Sequence, residues 1–239
     1  MFNSKLPENA NTNNLDRRWQ DLYRIGAVSC IIVVILLIFA VIAFLIWPFS
    51  VGVVPTTEIF TLLQTDRLGG LMSLDPLLLL IELITILPLL ALYAALKDVN
   101  ESFALIALVV GLLAVVLVVP ARPLAELVWL SDQYAAATTE AARTQYLAAG
   151  ETLLSLFNGT GWMVFTVFLG ISGLISSLLM LRSQHFNKTT AYVGIVSSLP
   201  QFGFFIPVVG PLLLLLTTIG GMIWYILIAR TFFGLGWNK

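Results

Sequence analysis

Charge is the scarcest ingredient of this chain. Only 10% of its 239 residues are Asp, Glu, Lys or Arg, where soluble domains carry about 25%. Histidine is almost missing: His185 stands alone, which removes the usual ligands of zinc sites and the usual base of Ser-His triads. Cysteine is limited to Cys30, inside an apolar run, so no disulfide can form within the chain. That thiol reads as a small buried hydrophobe. A net charge of −1 offers no basic footprint for nucleic acid. Nothing in the residue pattern points to a metal or another cofactor.

Hydrocarbon takes the place of charge. At 59% hydrophobic, a chain of this length has more apolar surface than its own core can hide from water, so the expected partner is a lipid bilayer. Residues 1–24 form a polar, Asn-rich stretch expected to be a separate tail at the cytoplasmic surface. Six apolar runs follow, at 26–47, 75–96, 102–119, 161–181, 190–209 and 211–233. Each is close to the roughly 20 residues that a helix needs to cross the hydrocarbon layer. The first is too long for a signal-peptide core and is followed by no small-residue cleavage site, so it reads as a retained anchor. Asp75-Pro76 is a helix start signal, and "PARP" at 120–123 stops the third run. The expected fold is all-α: an integral membrane helical bundle of six spans over residues 25–235.

Lys and Arg positions set the expected orientation. With six spans, Lys5, Arg17, Arg18, Arg24, Lys97, Arg182, Lys188, Arg230 and Lys239 share one side, and only Arg67, Arg122 and Arg143 lie on the other. The positive-inside rule places the first group, with both termini, in the cytoplasm. The outer side is expected to carry short amphipathic helices. One follows Pro55 and is broken at Gly69-Gly70; a longer outer segment, 121–160, contains "TTEAARTQYLAAGETLLSLF". Trp129, Tyr134 and Tyr146 suit headgroup depth. This layer reads as a lid over helix ends or as a gate.

Glu82 sits in the middle of "DPLLLLIELITILPLL". Seven residues below Asp75, it lies roughly 10 Å inside the second span. A charge at such depth costs at least about 2.5–3.5 kcal/mol, so the residue is expected to face the bundle. Asp75, Glu82 and Thr85 fall on one helix face. Pro88 frees the carbonyl of Ile84 beside them. Thr217, Thr218 and Gln201 come to a similar level in the last two spans, and an Asp75–Arg122 pair is expected at the outer rim. Two readings of this layer stay open. Glu82 is a hydrogen bond between helices, or it is a proton or cation site.

The entry "RIGAVS" (Arg24–Ser29), the opening "DPLLLL", the exit "LYAALKDVN" (Leu92–Asn100) and the closing "GGMIWYILIAR" (Gly220–Arg230) resemble a bacterial multi-span membrane family catalogued only as a domain of unknown function. That resemblance implies a compact bundle of about six helices in a bacterial plasma membrane and brings no catalytic residues. The expected function is therefore non-enzymatic binding or transport of a small solute or proton. The alternative is a structural or assembly partner of other membrane proteins or lipids. An intramembrane hydrolase finds no support: no span interior holds an Asp or a His.

Overall fold

The structure, a computed structural model, describes residues 8–203, 206 and 208–237. Every regular element among them is helical. Five helical stretches are long and apolar enough to cross a membrane: Trp19–Ile46, Pro76–Leu96, Glu101–Val118, Glu140–Met180 and Leu212–Trp237.

The first belongs to α1, Glu8–Ile46. The polar stretch expected as a separate tail is thus helical from Glu8 onward and runs straight into the apolar helix; its first seven residues lie outside the described part. Helix α2 spans Thr56–Thr65 and α3 spans Arg67–Met72. The expected break at Gly69-Gly70 falls instead at Asp66, whose side chain accepts from the Gly69 amide and starts α3. Gly70 lies hard against Leu63, so the pair is there for close packing.

Helix α4 is Pro76–Leu96 and α5 is Glu101–Val118. Asp75 precedes Pro76 with φ 58° and ψ 52°, a left-handed conformation that Asp tolerates better than most residues. Helices α6 (Leu124–Ala136) and α7 (Glu140–Ser155) precede α8, Thr160–Met180.

The apolar run 190–209 departs most from expectation. It is not one continuous helix. Helix α9, Lys188–Ser198, gives way to a 3-10 turn at Leu199–Phe202, with Pro200 at its start. Proline removes a backbone donor and clashes with the turn before it, so the α-helix stops there. Gln201 and Phe202 pack on Gly170, midway along α8. The break therefore lies at mid-depth of α8, with Leu199 and Phe202 exposed on the outside of the bundle. Residues 204, 205 and 207 lie outside the described part. The last helix, α10, runs Gly210–Trp237.

The six bundle helices form a closed ring: α1 packs on α4 and α10, α4 on α5, α5 on α8, α8 on α9, and α9 on α10. The two ends of the chain's bundle meet, because the Arg24 Nε donates to the Gly236 carbonyl at 2.8 Å and Tyr23 stacks on Phe232. Small residues set the spacing there, with Gly26 against Ala91 and Phe232.

Helices α2, α3, α6 and α7 cap the opposite end and have a core of their own. It is built from Ile59, Phe60, Leu63, Leu127, Leu154 and Phe157. Ser131 donates to the Phe60 carbonyl, and Gln64 and Arg67 both reach Asp132, tying α6 to α2 and α3.

Candidate functional site

A cavity of about 170 Å³ lies within the ring. Helix α4 brings Glu82, α8 brings Ser172 and Ser176, the 3-10 turn brings Gln201, and α10 brings Thr217 and Thr218. Four of the residues singled out in the sequence thus share one wall system. Thr85 is buried just beside it, where its hydroxyl donates to the Ile81 carbonyl and lies 3.4 Å from the Tyr225 hydroxyl.

Glu82 is only 6% exposed, and its Oε2 has no hydrogen-bond partner. In particular, this oxygen makes no hydrogen bond to Gln201 across the cavity. A buried carboxyl oxygen without a partner forfeits solvation that nothing replaces, and a cavity beside it is where a compensating group would sit. Two hydroxyls of the wall are occupied elsewhere: Ser172 donates across to the Ala107 carbonyl of α5 at 2.7 Å and Ser197 to the Val193 carbonyl of its own helix at 2.6 Å.

Two aromatic residues of the wall, Trp224 and Tyr225, were not among the sequence candidates. The Trp224 Nε1 is also buried and unpartnered. Its indole is held by Gly194 of α9, which has no room for a side chain between Trp224 and Ser177. An aromatic inside an apolar run looks alike whether it meets lipid, core or cavity, so the only available signal was the facing glycine. On the cap side of this wedge the helices that line the cavity are themselves in close contact, with Gly173 against Ser198 and Gly220 against Ser197.

The Asp75–Arg122 rim is not an ion pair; no contact within salt-bridge distance joins them. Arg122 is 4% exposed and donates from one nitrogen to the carbonyls of Ala121 and Phe157, both at 3.0 Å. Its guanidinium lies 4.2 Å from the Trp162 ring centroid and 4.9 Å from that of Phe157. Burial pushes Arg122 down to about 10 while the Asp75 carboxylate pulls it up, so it stays a cation at neutral pH. Arg122 pins the cap layer to the start of α8 rather than closing over Glu82. No cluster of three or more His, Cys, Asp or Glu able to hold a metal occurs among the described residues.

No protein-family model, no curated protein and no solved structure matches the chain.

Proposed function

We propose that this chain is a multi-pass protein of a bacterial plasma membrane, with both termini cytoplasmic, that binds or moves a small solute or a proton at Glu82. The supporting observation is a fully buried, unpartnered carboxyl oxygen on a cavity inside a ring of apolar helices. An acid kept at such depth for packing alone is expected to find a partner, since buried polar groups pair almost without exception. The interrupted span beside it supports the same reading. Irregular backbone at membrane depth is tolerated where protein or a cavity shields it, and broken helices of this kind line solute sites in transporters. Trans-membrane charge arrangement supports the orientation, nine Lys and Arg against three. The role is non-enzymatic.

The test is flux. In proteoliposomes, a pH or sodium gradient should decay faster with wild-type protein than with Glu82→Gln, which keeps the shape and hydrogen-bonding capacity of the side chain but cannot ionise. Equal decay rates for a folded Glu82→Gln protein and the wild type would overturn a proton or cation site.

A second reading, assembly with another membrane component, rests on the cap layer. An open apolar groove between α6 and α7 is lined by Trp129, Leu130 and Leu153, with Trp129 57% exposed.

A further inference from the structure

The cavity around Glu82 has an entrance of defined chemistry. On α1, from Trp19 onward, the buried side chains are Tyr23, Ala27, Ser29, Cys30, Val33 and Val34; from Ile35 to Ile46 none is buried. On α10, Trp224, Ile228, Ala229 and Phe232 are buried, and from Leu212 to Ile223 none is. Helix α5 shows what full packing looks like, with buried residues from Ala104 through Val118. The neighbours α1 and α10 therefore pack most tightly at the end shared by the chain termini, and their other halves are at most half-buried.

The cavity reaches both of those looser halves. Its wall includes Leu37 of α1 and Leu214, Thr217 and Gly221 of α10, and Leu214 is 46% exposed on the apolar surface. Towards the termini the route is shut by the Gly194–Trp224–Ser177 wedge. The open path thus passes between hydrocarbon side chains.

Charge completes the description of the ligand. No Lys, Arg or His lines the cavity among the described residues, and Glu82 is the only carboxyl there. A charge at membrane depth needs an opposite partner, and aromatic faces such as those of Trp224 and Tyr225 add attraction for a cation. At about 30 Å³ per water, 170 Å³ is room for an ammonium head and the first few carbons of a chain, so the rest of an apolar tail would lie in the gap between α1 and α10.

Resting on the reading of Glu82 as a solute site, we propose that its ligand is a lipid-soluble primary amine that enters sideways from the bilayer between α1 and α10. A neutral amine takes the carboxyl proton of Glu82 onto its nitrogen, and an ammonium meets the carboxylate directly. Both routes end in the same ammonium–carboxylate pair, with no other group consumed.

The probe is radiolabelled n-hexylamine, bound to the full chain in nanodiscs of phosphatidylcholine, with empty nanodiscs subtracted. Binding should saturate, and unlabelled hexylamine should displace it. Methylamine, a head without a tail, and hexanol, a tail without the charge, should not compete at equal concentration. Glu82→Gln should weaken binding by about thirtyfold or more, the usual cost of leaving one member of a buried charge pair alone. Gly221→Leu should block it without unfolding the protein, because nothing lies within 4 Å of a β-carbon placed at Gly221 and the longer side chain has the cavity to enter. Competition by methylamine as strong as by hexylamine, or by hexanol, would overturn the proposal, as would undiminished binding to either variant. Absence of hexylamine binding alongside Glu82-dependent proton or sodium flux would remove this inference and leave the broader function standing; loss of both would remove both.

Discussion

Gly194 and Gly221 sit in facing helices and should answer an added methyl group in opposite directions. At Gly194 a side chain would run into the Ser177 hydroxyl and the Trp224 indole, both buried and unable to retreat. Overpacking of this kind costs about 1–3 kcal/mol. At Gly221 the space is empty, and Ala is favoured over Gly in a helix by up to about 1 kcal/mol. Denaturation in detergent micelles should therefore rank Gly221→Ala at or above wild type and Gly194→Ala below it; the reverse order would mean that the floor of the cavity is not closed at Gly194. Residue by residue, the site was only partly legible in the sequence. Counting helical rise from Asp75 and Pro211 brings Glu82, Thr217 and Thr218 to one layer, and all three line the cavity. Trp224 and Tyr225 carry no such mark, because depth along a helix says nothing about which way a ring faces.

At the scale of elements, long apolar runs are easy to read and interruptions are not. The runs at 75–96, 102–119 and 161–181 match α4, α5 and α8 to within a residue or two, since Asp75-Pro76, Asn100 and Gly159 punctuate them. The run at 190–209 has the right composition but contains Pro200, and hydropathy cannot register a lost backbone hydrogen bond. The cap helices show how a segment of modest hydropathy still folds. Gly150 of α7 closes on the ring of Phe60 of α2 at a distance no side chain would allow. Gly150→Val should therefore loosen the cap selectively. Amide exchange should quicken in α2, α6 and α7 while α4 and α5 keep their protection; uniform quickening would show that cap and bundle open as one unit. The seam between α2, α3 and α6 has its own pH response. Bonds from Gln64 and Arg67 hold the Asp132 carboxyl below its ordinary value of 3.8. An acid whose folded value is depressed stabilises above that ordinary value and loses the contribution as pH falls below it. Protection in α2 should thus be lower in Asp132→Asn than in wild type at pH 6, by a small margin because the pair is exposed, and equal to it in stronger acid.

For the molecule as a whole, topology depends on what the broken span does. Helix α9 has 11 residues, about 16 Å of rise, and the 3-10 turn adds 4 residues, about 8 Å. Together they fall short of the roughly 30 Å hydrocarbon layer. Helix α10 has 28 residues, about 42 Å, and ends beside Arg24 at the start of the bundle. The last hairpin must therefore climb from the end shared by the termini and return to it, whatever depth its tip reaches. That requirement and the bias of Lys and Arg lead to the same pattern of accessibility. In a Cys30→Ala background, single thiols placed at Lys97 and at Gln184 should react with a membrane-impermeant maleimide only from the cytoplasmic side. Thiols at Arg67 and Arg143 should react only from the other. A thiol at Gln184 on the opposite side from one at Lys97 would mean that α5 and α8 do not form a complete pair of crossings, and the ring around Glu82 would have to be redrawn. Labelling of all four sites from the reverse sides would keep the ring and invert it, turning the cap layer and the gap between α1 and α10 toward the cytoplasm. Amine entry would then draw on the inner leaflet, where anionic lipids concentrate cations at the surface.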